Sequence, residues 1–167
     1  MSKVLITGTS GTGKSSALQA LASRGHRTVD TDTDEWIRWV RLPDGSRDWV
    51  WREDAIGHLL AGHGEGALFV AGCRSNQGRF YPRPDLGADR GRFDQVVLLS
   101  APAEVMLARI RARTGNPYGK RPEEWAAIMN DLETVEPLLR ATATAEIDAT
   151  APLGQVVRRL EELLTPP

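Results

Sequence analysis

Gly8-Thr9-Ser10-Gly11-Thr12-Gly13-Lys14-Ser15 decides how the rest of the chain reads. Four residues separate Gly8 from Gly13, and Lys and Ser follow at once. The stretch lies between a short apolar run at 4–7 and a segment of helical period at 14–23. Strand, glycine-rich turn and helix is the context in which this pattern cradles phosphate. The glycines let successive backbone N–H groups turn inward around a β-phosphate, and the helix that follows offers its positive end to the same anion. In such a cradle Lys14 reaches the β- and γ-oxygens and the Ser15 hydroxyl ligates Mg²⁺. The candidate nucleotide-binding residues are therefore Gly8, Ser10, Gly11, Thr12, Gly13, Lys14, Ser15 and Ser16. A plain glycine turn before a helix is the bland alternative.

Outward from this stretch, short apolar runs alternate with longer helical segments, the pattern of an α/β sheet covered on both faces. The runs are 4–7, 27–30, 67–71, 93–99 and 145–148. The helical segments are 14–23, 48–61, 103–113, 122–140 and 155–164, with Pro102 and Pro122 suited to first turns. A second helix start is read at Asp34, where Asp34 and Glu35 would supply its cap and acidic first turn. Leu42-Pro43-Asp44-Gly45-Ser46 reads as a turn and 76–92 as an irregular loop, both over the sheet. The segment 114–122 carries Lys120 and Arg121 and reads as a mobile lid.

The 167 residues, 41% hydrophobic and 26% charged, suit one globular domain spanning 1–167. A net charge of −1 with dispersed Lys and Arg lacks the electrostatic footprint of a protein that binds nucleic acid in bulk. Cys73 is the only cysteine, so no internal disulfide forms, and three scattered histidines offer no metal-ligand spacing. Neither a signal-peptide core nor a membrane span is present, and a cytoplasmic protein, monomer or homodimer, is expected.

Asp30-Thr31-Asp32-Thr33-Asp34-Glu35 follows the second apolar run, on the side of an open sheet where ligands sit. Four acids in six residues repel one another, and a nearby Mg²⁺ or acceptor hydroxyl relieves that repulsion. Asp30 and Asp32 are the functional candidates. Asp34 reads mainly as a helix-start residue, although a register two residues later would make it the base.

Taken together, the phosphate loop, the Asp-x-Asp, Leu107-Ala108-Arg109, Lys120-Arg121-Pro122, and Ile147-Asp148 with Pro152 and Val156-Val157 resemble the shikimate kinase and gluconate kinase group of small P-loop kinases. The likeness covers nearly the whole chain. It implies a three-layer α/β P-loop NTPase fold whose five-stranded parallel sheet has the order 2-3-1-4-5, with a lid at about 114–122 that closes over ATP. It also implies that Asp32 is the substrate-side base and Asp30 the metal-side partner of Ser15. Arg109 would pack on adenine beside a loop ending at Pro152, and Arg121 would reach the triphosphate from the lid. Taken alone, Arg109 also reads as a solvated helix residue.

The likeness has limits. Val135-Glu136-Pro137-Leu138 lacks the arginine with which shikimate kinases hold their substrate's carboxylate, and Ala71-Gly72-Cys73-Arg74-Ser75 lacks the lysine-bearing loop of gluconate kinases. No Asp ends the run 67–71, which favours a small-molecule kinase over a mechanical ATPase. The acceptor site is expected from about 34–61 and 72–92, with Asp32, Asp34, Arg52 and Arg74 as substrate-binding candidates, because Arg engages anions by two parallel bonds. Trp36, Trp39, Trp49 and Trp51 read more readily as core packing than as a ring-binding platform. Cys73 reads as an inert small apolar residue. The leading expectation is ATP- and Mg²⁺-dependent transfer of a phosphoryl group to a small-molecule hydroxyl, with Lys14, Asp32 and Arg121 catalytic. A nucleotide or nucleoside kinase and a non-catalytic nucleotide sensor are the alternatives.

Overall fold

The computed structural model describes residues 2–87 and 89–164. Its central sheet is parallel and ordered β2-β5-β1-β6-β7, built from β1 (Ser2–Thr7), β2 (Arg27–Asp30), β5 (Ala67–Ala71), β6 (Gln95–Ser100) and β7 (Ala145–Asp148). Counted among themselves these five strands have the order 2-3-1-4-5. Two further strands, β3 (Ile37–Arg41) and β4 (Arg47–Trp51), form a separate antiparallel hairpin. The helices are α1 (Lys14–Ser23), α2 (Glu53–Gly62), α3 (Ala103–Ala112), α4 (Pro122–Thr134), α5 (Glu136–Thr142) and α6 (Leu153–Glu162).

Strand residues alternate between two cores, as a period of two requires. Val4, Ile6, Phe69, Ala71, Val97 and Leu99 pack on one face with Ala17, Leu18 and Leu21 of α1 and Val156, Val157 and Leu160 of α6. Leu5, Leu68, Val70 and Val96 pack on the other with Ile56, Leu59 and Leu60 of α2 and with Trp51, Phe80 and Phe93. Each Val, Leu, Ile or Phe side chain among them contributes about 1.5–3 kcal/mol on full burial. A third, smaller cluster joins Met106 and Ile110 of α3 to Ile128 of α4.

Three sequence expectations are corrected. Residues 48–51 are strand and the helix starts only at Glu53, because Trp49-Val50-Trp51 alternates with period two and pairs with β3. No helix starts at Asp34. One turn, in which the N–H groups of Trp36 and Ile37 donate to the Thr33 carbonyl, leads straight into the β-branched and aromatic β3. The stretch 122–140 is broken at Val135, since Pro137 has no N–H to give and its ring displaces the carbonyl four residues back. The expected turn at 42–46 exists, closed by Leu42 N–H on the Ser46 carbonyl at 2.8 Å, but it tips the hairpin instead of crossing the sheet. Among the described residues the loop at 76–92 holds two 3₁₀ turns, at Gln77–Phe80 and Pro84–Leu86.

Candidate active site

The phosphate loop depends on backbone angles that only glycine adopts cheaply. Gly11 and Gly13 have φ of 88° and 93°, and Gly8 lies so close to β6 that a Cβ there would stand 2.5 Å from the Leu99 carbonyl oxygen. Thr12 Oγ1 donates to the Thr9 carbonyl at 3.0 Å and closes the turn from inside. Lys14 Nζ folds back over the loop and donates to the carbonyls of Gly8 (2.6 Å) and Thr9 (3.0 Å). Desolvation pulls the Lys14 ammonium below its ordinary pKa, Arg74 adds to that pull, and the carboxylates of Asp32 and Asp30 oppose it. A desolvated cation held only by two neutral carbonyls gains from an incoming phosphate, so the cradle suits a nucleotide's phosphates.

Period-two geometry continues past the end of β2 and divides the acidic stretch. Thr31 turns inward and is fully buried: its hydroxyl donates to the Ala71 carbonyl at 2.7 Å and accepts the Trp51 indole N–H at 2.9 Å. Asp30 and Asp32 flank it and face the phosphate loop. Ser15 Oγ donates to Asp30 Oδ2 at 3.1 Å, the Asp32 N–H donates to Asp30 Oδ1 at 3.1 Å, and Asp32 Oδ1 pairs with Arg74 Nη2 at 2.7 Å. Lys14, Ser15, Asp30, Asp32 and Arg74 therefore converge at the C-terminal ends of β1, β2 and β5. Ser15 and Asp30 present hard oxygens of the kind Mg²⁺ takes, one or two from protein and the rest from phosphate and water.

The other expected residues lie around this group. Arg52 donates from Nε to the Asp34 carbonyl (3.1 Å) and the Ile37 carbonyl (3.0 Å), so it braces the turn before the hairpin. Asp34 is exposed and makes that contact through its main chain alone, while its side chain stays apart from the cluster. Arg109 bridges the phosphate loop to the loop after β7, donating to the Thr12 carbonyl at 3.3 Å and to that of Ala149. Pro152 caps α6 on that side, Ser10 is half-buried, and Ser16 is exposed on α1. Arg121 is the cap residue of α4, and its N–H meets the Glu124 carboxylate at 3.3 Å. Its guanidinium forms no ion pair among the described residues.

The segment 114–122 is held on itself. Arg113 donates to the carbonyls of Asn116 and Tyr118, and Lys120 Nζ to that of Arg113. Gly119 lies against Ile110 and Ile128, where a Cβ would approach to 2.9 Å.

Several supporting residues escaped the sequence reading. Gly72 leaves no room for a side chain, because a Cβ would stand 2.2 Å from Thr31 Oγ1 and 3.1 Å from the Trp51 ring. The Asn76 amide pairs with both backbone groups of Trp51, at 3.0 Å each. The one available signal was the alternation in Arg47-Asp48-Trp49-Val50-Trp51. Trp36, Trp49 and Trp51 pack on the core, while Trp39 is half-exposed and stacks on Trp49 at 3.8 Å.

Comparison with known proteins finds a family model, described as an AAA domain, that matches residues 4–135. No curated sequence matches. Similar solved structures include shikimate kinase from Acinetobacter baumannii in complex with shikimate, at 17% identity and a TM-score of 0.61, covering 98% of this chain and 93% of that one. A gluconokinase from Sinorhizobium meliloti 1021 is 24% identical, with a TM-score of 0.59 and coverage of 98% and 95%. Deoxyadenosine kinase from M. mycoides with bound dATP is 15% identical, with a TM-score of 0.59 and coverage of 97% and 98%. At these identities the likeness is one of fold: the chain has the P-loop kinase architecture. With most of its length matched by the family model, the chain belongs to the AAA-domain family.

Proposed function

From membership of the AAA-domain family as premise, we propose that the protein is a single-domain phosphotransferase that moves the γ-phosphoryl group of ATP to a hydroxyl of a small molecule. The observation that carries this reading is the convergence of Lys14, the Ser15–Asp30 pair and the Asp32–Arg74 pair at one end of the sheet. A phosphate-binding loop alone serves many chemistries, and the carboxylate two residues beyond the metal-side aspartate is what adds a base. Lys14 holds the β- and γ-oxygens and neutralises the charge that spreads over the transferred group. Ser15 and Asp30 would hold Mg²⁺, which supplies further neutralisation of the phosphates. Asp32 takes the proton of the acceptor hydroxyl as its oxygen bonds to the γ-phosphorus and the bond to the ADP oxygen breaks.

Arg74 orients the acceptor beside Asp32, and Arg52 sets the turn that lines the same side. Arg109 bounds the adenine side with the 149–152 loop, and Arg121 is the lid arginine that meets the triphosphate on closure. The test is ADP release from ATP and Mg²⁺ with a panel of polyols, sugar acids, other hydroxy acids and nucleosides. The reading expects one class to raise turnover well above the acceptor-free rate. Turnover equal to that rate with every class would leave a nucleotide sensor in its place.

A further inference from the structure

Gln77 has no part in the chemistry above, yet it is only 3% exposed and its amide makes three hydrogen bonds, two within its own loop and one to β1. Nε2 donates to Thr7 Oγ1 at 3.0 Å and to the Tyr81 hydroxyl at 2.7 Å, and Oε1 accepts the Arg74 N–H at 2.9 Å. The orientation of the amide follows from chemistry: a backbone N–H can only donate, so the oxygen must face Arg74. Thr7 is the last residue of β1 and the one before Gly8 of the phosphate loop. Arg74 forms the ion pair with Asp32. One buried amide thus joins the strand that ends in the phosphate loop to the loop that carries the guanidinium.

A short 3₁₀ turn needs less than this. The Gln77 N–H already donates to the Arg74 carbonyl at 3.2 Å, and the return bond from Arg74 N–H to Oε1 would complete a local cap. The two bonds from Nε2 go beyond that cap, and the one to Thr7 spans seventy residues of chain. Burying an amide costs free energy unless each polar atom is met, and here each is. Arg74 gains a fixed backbone, from which Nη2 reaches Asp32, while its Nε stays buried with no hydrogen-bond partner among the described residues.

We propose that Gln77 is a positioning residue, which registers Arg74 against the end of β1 and so holds it opposite Asp32. The role of Arg74 toward an acceptor rests on the phosphotransferase reading, whereas its placement by Gln77 does not. Gln77→Met keeps the length of the side chain and deletes all three bonds. Thr7→Val keeps the shape of its side chain and deletes only one of the two acceptors of Nε2, the one on β1, and it carries the same test if Gln77→Met does not fold.

The first measurement uses the protein alone, by ¹⁵N NMR of arginine side chains. The Arg74 Nε–H signal, assigned by its loss in Arg74→Ala, should be resolved in the unsubstituted protein and move toward the free-arginine position in Gln77→Met and Thr7→Val. The second uses the best acceptor of the panel. Its KM should rise roughly tenfold, the scale of one misplaced hydrogen-bonding group, while ADP affinity stays within about twofold. The double variant Gln77→Met/Arg74→Ala should be no worse than Arg74→Ala, because both act through one guanidinium. An unmoved Arg74 signal in folded variants, with loss of thermal stability only, overturns the proposal. A moved signal with no acceptor phosphorylated by the unsubstituted protein upholds the positioning and removes the phosphotransferase reading instead.

Discussion

Eight consecutive residues, 8–15, build the phosphate loop, whereas Asp32, Arg52 and the loop carrying Arg74 and Gln77 reach the other side of the cleft from separate segments. The first region is shaped by backbone: glycine angles, the start of α1 and a lysine folded onto its own loop. The second is shaped by side chains that meet across long stretches of sequence, as in the pairs Asp32–Arg74, Thr31–Trp51 and Gln77–Thr7. Local geometry of the first kind tolerates change elsewhere in the molecule. A region of the second kind depends on every element that brings its members together, and changes in it should be felt at a distance.

The largest expected effect lies in the phosphate loop. Lys14→Ala should lower phosphoryl transfer by on the order of 10³-fold and weaken binding of an ATP analogue in calorimetry, because the charge bridging the β- and γ-oxygens is gone. Unchanged affinity and turnover together would break the comparison at its first term. On the carboxylate side, Asp32→Asn should slow transfer by roughly 10²-fold with nucleotide affinity nearly intact. Asp34→Asn should be mild, since its side chain is exposed and outside the cluster. A reversed ranking of the two in steady-state kinetics would move the base by two residues.

Gly72→Ala probes the long-range character of the second region. The new methyl meets Thr31 Oγ1, itself tied to Ala71 and Trp51, so the strain passes into β2 and the hairpin. A loss of about 1–3 kcal/mol in urea unfolding is expected, with ADP affinity in the folded protein retained. Equal loss of ADP affinity would mean that the two regions are not separable.

The smallest effect is a control remote from both regions. Arg24, and after it His26, hold the Glu161 carboxyl down at about 2 from an ordinary 4.5. A carboxyl whose folded pKa is depressed stabilises the fold above its unfolded pKa and loses that contribution as pH falls from about 4.5 toward 2. Glu161→Gln should flatten this acid limb in a plot of Tm against pH and cost about 1 kcal/mol or less near neutrality, since Arg24 is largely exposed. Turnover should be unaffected.

Apart from the break of the expected helix 122–140 at Val135, the sequence reading failed on one stretch. Residues 34–51 were expected as helix, turn and helix because acids suit a helix start, but Ile37-Arg38-Trp39-Val40-Arg41 and Arg47-Asp48-Trp49-Val50-Trp51 pair as strands. Local capping preferences of this size, about 1 kcal/mol, yield to the burial of Ile37 and Trp51 in the core.

The amino-acid sequence by itself determined the phosphate loop, the parallel five-stranded sheet and the position of Asp30 and Asp32 at the end of its second strand. Each of these follows from neighbours in the chain, through glycine's backbone freedom, hydrophobic period and strand alternation. Only the tertiary structure decided that Arg74 faces Asp32, that Arg52 braces a turn, that Arg109 spans from Thr12 to Ala149 and that Gln77 ties Arg74 to β1. An Arg or Gln carries no local signal of its partner, because the partner is chosen by which loops the packed sheet brings within hydrogen-bond reach.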